Sequence, residues 1–184
     1  MLNLKTFLLS SILTANLLAT ANDGIYVEAG VGIGTKDKVN TKNADYFYER
    51  GFLGSLALGY QIDCYRVEIE NRYKKDTIVS QGNIATKGDF RQNTQMINAY
   101  YSGYNSSRLV SSVGLGIGIS SISLDEQNLE DSGVFTYQGI FSVGYMHTKN
   151  IITTLKYNYV RTISSDNFDK NSDHLISLNL RYLF

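Results

Sequence analysis

From Gly24 to the C-terminus, apolar and polar residues alternate with a period of two, the spacing of β-strands rather than of helices. Eight runs carry the pattern: 24–35, 52–61, 65–74, 92–104, 109–121, 134–145, 151–161 and 173–184. In the first, Ile25, Val27, Ala29, Val31 and Ile33 share one face, and Glu28, Gly30, Gly32 and Gly34 share the other. In the third, Tyr65, Val67, Ile69 and Tyr73 oppose Arg66, Glu68, Glu70 and Arg72. The fifth sets Val113, Leu115, Ile117 and Ile119 against Ser112, Gly114, Gly116 and Gly118, and the seventh puts Lys156 opposite Leu155 and Tyr157. The last sets Ile176, Leu178, Leu180, Tyr182 and Phe184 against Ser177, Asn179 and Arg181.

Alternation leaves open which face is inside, because a soluble barrel buries the apolar face and a membrane barrel turns it to lipid. Three features choose the second. Glycines cluster on the polar face, where a narrow interior gains room for long Arg, Glu and Lys side chains and an exposed surface gains nothing. The apolar face ends in rings, with Tyr60, Tyr65, Tyr145, Tyr182 and Phe184 at one boundary and Tyr73, Tyr137 and Tyr159 at the other, like the aromatic girdles of membrane barrels. Connections alternate between tight turns (62–64, 105–108, 146–150) and long polar loops (36–51, 75–91, 124–133, 162–172), the rhythm of periplasmic turns and outer loops. Each run is long enough for a tilted transmembrane strand, and in lipid only closure satisfies every backbone group. The expected fold is all-β: a closed, antiparallel, eight-stranded transmembrane β-barrel with both termini periplasmic. Side chains nearly fill a lumen of that size, so a wide aqueous pore is not expected.

Residues 1–21 read as a cleavable signal peptide: Lys5, an apolar stretch over 7–18, and the small residues Ala19 and Ala21 at the cleavage site. The barrel domain is then 22–184, in an exported protein. No second domain is expected after Phe184. Equal numbers of acidic and basic residues, 17 each, argue against nucleic-acid binding. One cysteine, Cys64, excludes an intramolecular disulfide, and with two histidines it cannot form a thiolate zinc cluster. No cofactor and no metal site are expected. The absence of Pro suits unbroken ladders.

The segment Ile176–Phe184, with apolar residues at alternate positions, an aromatic third from the end and a terminal Phe, resembles the C-terminal signature of Gram-negative outer-membrane barrels. The stretches 24–32, 58–60, 66–70 and 113–118 are similar to the small opacity/OmpX/OmpA-type eight-stranded barrels. The resemblance implies a cell outer-membrane location, a bed of outer-membrane lipids and lipopolysaccharide, and insertion by the barrel-assembly machinery. That machinery would read Ile176, Leu178, Leu180, Tyr182 and Phe184 as the assembly signal. Peptidoglycan anchoring is not expected, because no periplasmic domain is expected after the barrel.

The inward charges Glu28, Arg66, Glu68, Glu70, Arg72, Lys156 and Arg181 are the candidate site. In a cramped lumen they should pair or keep water, and closure would make Glu28 and Arg181 neighbours. The expected role is non-enzymatic: envelope structure, or presentation of outer loops to an extracellular ligand in the manner of an adhesin. A charged constriction passing ions or small solutes is the alternative. An acyl-chain enzyme acting on lipid A is a more distant one, since it needs a nucleophile, a base and an orienting carboxylate. His147 lies in a turn without a nearby acid, and Ser172, Asp173 and His174 are merely consecutive. Lys36, Lys38, Lys74 and Lys75 are read as outer-loop cations, the ordinary content of a solvated loop or a contact for lipopolysaccharide. The acidic segment 125–131 lacks calcium-loop spacing.

Overall fold

In the computed structural model, which describes residues 23–36, 39–41, 44–48, 51–81, 84–105, 107–124, 129–163 and 171–184, alternation builds strands throughout. The signal-peptide expectation, including Ala19 and Ala21, lies outside the described residues, as do Lys38 and the acidic stretch 125–128. The strands are β1 (Gly24–Lys36), β2 (Val39–Thr41), β3 (Ala44–Tyr48), β4 (Gly51–Ile62), β5 (Tyr65–Gln81), β6 (Ile84–Tyr104), β7 (Leu109–Leu124), β8 (Leu129–Met146), β9 (Ile151–Thr162) and β10 (Asn171–Leu183). Eight of them run β4-β1-β10-β9-β8-β7-β6-β5, and the β5–β6 and β4–β5 pairings join the ends into a closed cylinder. Every pairing is antiparallel. The first and last barrel strands meet in the register Glu28↔Arg181 and Val31↔Leu178.

β2 and β3 pair with each other beyond the barrel, and β3 also pairs with the outer end of β5. This revises the expected long loops. Residues 75–81 and 84–91 form the outer half of a β5–β6 hairpin paired as far as Gln81↔Ile84, and β7–β8 pairing reaches Leu124↔Leu129. Outside lipid, nothing requires one face of a strand to be apolar, so the alternation that marks a strand within the bilayer stops while the backbone ladder continues.

Burial is inverted relative to a water-soluble domain. Leu115, Leu56, Ile69 and Phe52 are among the most exposed side chains, at 74%, 68%, 65% and 65%, whereas Arg66 and Arg181 are 1% exposed. Such an apolar exterior has to be met by acyl chains. The rings expected at the two boundaries stand on this outer surface: Tyr60, Tyr65, Tyr145, Tyr182 and Phe184 at the periplasmic end, with Tyr73 and Tyr137 toward the other. Tyr65 meets Tyr101 edge-on at 5.5 Å, and Tyr182 meets Phe184 at 5.1 Å.

The inward glycines make room, for a long charged chain at Gly34, where a Cβ would meet Lys74 Cε, and for other occupants elsewhere. A Cβ at Gly116 would collide with the Asn98 and Gln138 side chains, and one at Gly30 with those of Asn179 and Ser55. Amides and hydroxyls thus share the space with charged and aromatic side chains. The three tight periplasmic turns hold where expected. Asp63 turns the chain at φ 48° and its N–H donates to Asp23 Oδ1 at 2.6 Å, while Arg108 N–H donates to the Asn105 carbonyl at 3.0 Å.

Candidate functional site in the lumen

Inward positions on eight strands converge on the axis, so residues distant in sequence stack in layers. At the periplasmic end Tyr26, Tyr104, Val110, Ile152 and Leu183 form a buried apolar cluster with Met146 packed against it. Above it, Glu28 is ringed by cations: Lys156 Nζ at 2.5 Å, Arg181 Nε at 2.9 Å and Arg66 Nη1 at 4.0 Å. Glu68 accepts hydrogen bonds from Tyr26 Oη at 2.7 Å, Tyr100 Oη at 2.5 Å and Asn98 Nδ2 at 3.0 Å, and lies 3.8 Å from both Arg66 and Lys156. The Arg66 guanidinium also lies over the Tyr100 ring, 4.1 Å from its centroid. Cation and ring thereby share one desolvated site.

The next layer belongs to Arg72 and Glu70. Arg72 donates to Glu70 Oε1 through Nε at 3.1 Å and Nη2 at 2.8 Å, and reaches across the lumen to Gln138 Oε1 at 3.0 Å. Gln138 in turn donates to Asn98 Oδ1 at 2.7 Å and accepts from Asn158 Nδ2 at 2.8 Å. Beside them a chain of hydroxyls links β6, β7, β8 and β9: Thr94 to Ser120 at 2.9 Å, Ser120 to Thr136 at 2.8 Å, and Thr136 to Thr162 at 3.3 Å. Toward the extracellular end Lys74 donates to Asp173 at 2.8 Å and lies 3.0 Å from Asp76, near a second buried apolar cluster of Leu53, Val160 and Leu175.

All seven charged residues singled out in the sequence reach this interior: Glu28, Arg66, Glu68, Glu70, Arg72, Lys156 and Arg181. Lys74 does too, against its reading as a loop cation. It shares the strand parity of Arg72, so its side chain faces the axis, while Lys75 faces out and pairs with Asp89 at 2.7 Å. Among the described residues, five basic and five acidic side chains are buried: Arg66, Arg72, Lys74, Lys156 and Arg181 against Glu28, Glu68, Glu70, Asp76 and Asp173. A balanced set offers no net field to select a permeating ion. Sequence reasoning missed Tyr26 and the role of Tyr100, whose hydroxyls tie Glu68 to the network; their parity with Glu28 and Asn98 was the available signal.

The histidines do not assemble a catalytic constellation. Consecutive residues on a strand face opposite ways, so Asp173 points inward to Lys74, while His174 points outward to Tyr157 Oη at 2.7 Å. Ser172 Oγ accepts from Tyr159 Oη at 3.3 Å. His147 contacts Thr153 Oγ1 at 2.9 Å, near the periplasmic turn. No cluster of His, Cys, Asp and Glu suited to a metal ion occurs among the described residues. Cys64 is a half-buried free thiol in the β4–β5 turn.

No protein-family model matches the chain, and neither does any curated protein sequence. Solved structures do match. Neisserial surface protein A (NspA) is 18% identical with a TM-score of 0.70, covering 88% of this chain and 97% of that one. The outer membrane protein OprG from Pseudomonas aeruginosa is 11% identical with a TM-score of 0.58, again covering 88% and 97%. At such identities the likeness is one of fold. With its apolar belt and inverted core, the chain has the architecture of the small outer-membrane β-barrels, and the outer membrane is where it resides.

Proposed function

We propose that this protein is a non-enzymatic, non-conducting barrel that serves the envelope and presents its extracellular hairpins to the exterior. One observation carries the reading: the inward side chains are buried and tied to one another across the lumen, with a charge-balanced network between two buried apolar clusters. An ion crossing it would have to open at least one apolar layer and break hydrogen bonds that shield buried charges. The strands meanwhile extend past the bilayer on the side opposite the tight turns, as β2–β3 and the outer half of β5–β6. That gives a rigid base for recognition at the surface, in keeping with the word "surface" in the name of the neisserial protein.

Purified protein in planar bilayers is expected to give no steady single-channel steps. Reproducible steps from the unmodified protein would reverse the reading in favour of a conduit. If the exterior role holds, shortening the β5–β6 hairpin beyond Asp76 and Phe90 abolishes adhesion of expressing cells and leaves the barrel folded. Unchanged adhesion after that deletion and removal of 37–50 would count against presentation.

Residues 1–21 are proposed as the signal peptide, and the alternate residues Ile176 to Phe184 as the assembly signal. The Phe184 ring is 70% exposed and meets the Tyr182 ring edge-on at 5.1 Å, while its backbone N–H donates to the Ile25 carbonyl at 3.0 Å. Phe184→Ala is therefore expected to change refolded stability by no more than about 1 kcal/mol. The same substitution should lower the amount inserted in cells several-fold. Equal insertion of the two proteins would remove the signal role.

A further inference from the structure

Amide side chains reach the lipid-facing surface on one pair of strands. Asn71 on β5 and Gln95 on β6 face outward as register partners, and Asn93 follows on β6. No other strand of the barrel turns an Asn or Gln outward among the described residues. In register the row reads Leu56, Asn71, Gln95, Ile119, so the amides stand between apolar neighbours. From Tyr65, at the periplasmic boundary, to Asn71 the strand climbs about 20 Å along its length and about 15 Å toward the outer surface, inside an apolar band roughly 25 Å tall. The Tyr73 ring lies beyond Asn71 on the same face, which leaves Asn71 and Gln95 on the lipid side of the outer ring boundary. Around the amides the β4–β5, β5–β6 and β6–β7 ladders keep one register. A bulge on β8, where Ser132 and Gly133 together oppose Ser121, falls outside this stretch of wall.

An amide facing hydrocarbon needs a partner, because acyl chains replace none of the hydrogen bonds it made in water. Asn71 Nδ2 donates to Asn93 Oδ1 at 2.9 Å, which uses one donor and one acceptor. The Asn71 carbonyl oxygen, the Asn93 NH₂ group and both ends of the Gln95 amide have no hydrogen-bond partner among the described residues. A second copy of the chain supplies what is missing. Two barrels inserted the same way are related by a two-fold axis along the membrane normal, which brings equal depths face to face. Gln95 then meets Gln95, and two primary amides can exchange a pair of N–H···O=C bonds. Close approach in a membrane favours small residues. The face has them in Ala99 on β6 and Gly54 on β4, where a Cβ would find no atom within 4 Å. Toward the extracellular side Lys75 and Arg91 stand with Asp89, at 2.7 and 3.8 Å, so the face carries charges of both signs and can meet its copy. We propose that the outward β5–β6 seam is a contact between two copies of this chain within the membrane, made by Asn71, Asn93 and Gln95.

The test uses protein refolded into phosphatidylcholine vesicles, with Cys64→Ser to remove the native thiol. One new cysteine is placed either beside the amides, as Ile97→Cys, or across the barrel on β10, as Leu178→Cys. A short bis-maleimide is expected to join Ile97→Cys into dimers and nothing larger, with a yield about tenfold lower at Leu178→Cys. Adding Asn71→Leu/Gln95→Leu to Ile97→Cys should weaken association about tenfold, the factor expected for hydrogen bonds between membrane segments. Both side chains project away from the wall, so the monomer's melting temperature should hold; a fall in it with dimers retained would make the amides structural and overturn the contact. Gly54→Leu, which has open space in the monomer, should suppress dimers independently. Equal cross-linking at Ile97 and Leu178, or dimers untouched by both sets of variants, would mean chance encounter and overturn the contact as well. Cross-links from Ile97→Cys to a different protein in whole outer membranes, with none between copies, would give the seam to that partner instead. None of these outcomes depends on whether the lumen conducts, so failure here leaves the proposed surface role standing.

Discussion

Replacing Glu28 with Ala is expected to destabilise the refolded barrel by about 3–5 kcal/mol in urea unfolding, among the largest effects of any single interior substitution. Glu28 lies within 4.0 Å of Lys156, Arg181 and Arg66, and its side chain is almost wholly buried. Its removal leaves three cations facing one another with Glu68 as the remaining shared carboxylate, at 3.8 Å from Arg66 and Lys156. The cost is chiefly that of the uncompensated charges and less the worth of the lost contact. Arg181→Met alone should also destabilise, because Glu28 Oε2 loses its 2.9 Å donor. In the double variant the two losses should overlap, giving a coupling energy of about 1–3 kcal/mol in the cycle. Because Arg181 on β10 faces Glu28 on β1 in register, the coupling reports directly on the seam that closes the cylinder. Strictly additive losses would mean that the pair contributes nothing to that closure. Glu28→Gln, which keeps the shape and one acceptor, should fall between wild type and Ala.

What was legible in the sequence follows from the constraint the bilayer imposes. Within lipid each residue must declare its side, so period-two alternation identified the eight barrel strands, and the glycines on the polar face, the boundary rings and the turn–loop rhythm gave their orientation: Val31 and Leu178 out, Glu28 and Arg181 in. Past the headgroups that constraint disappears. The outer half of the β5–β6 hairpin therefore read as a polar loop although its ladder continues to Gln81↔Ile84. Lys74 was misread for a related reason. It precedes Lys75 in what looks like a charged loop, but two-residue parity from Arg72 carries it inward to Asp173, 99 positions away. Contacts across the lumen, such as Arg72 with Gln138, depend on how strands from opposite walls are staggered, and local alternation has no access to that stagger. The interior set was thus visible as a list of residues, and its pairings outside the β1–β10 seam were not. The β8 bulge was hidden as well, since Ser132-Gly133 looks like ordinary loop sequence until the register on each side is known.

Orientation toward lipid can itself be tested by depth. Leu115, midway along β7 and 74% exposed, should tolerate Arg poorly in a bilayer, with a loss of about 2–4 kcal/mol. Ile25 lies at the periplasmic end of β1 and is similarly exposed, at 54%, so Ile25→Arg should cost only about 0–1 kcal/mol. The difference arises because a guanidinium near the interface reaches water and headgroups, while one at mid-depth must thin the bilayer or draw water in. Contacts within the protein cannot supply such a gradient, since both side chains project away from the wall. In detergent micelles, which deform readily around a charge, the Leu115→Arg penalty should shrink toward that of Ile25→Arg. Equal penalties at the two sites in bilayers would mean that Leu115 does not face acyl chains. The inverted core would then need another explanation, because Arg66 and Arg181 are buried on the opposite side of the same barrel wall.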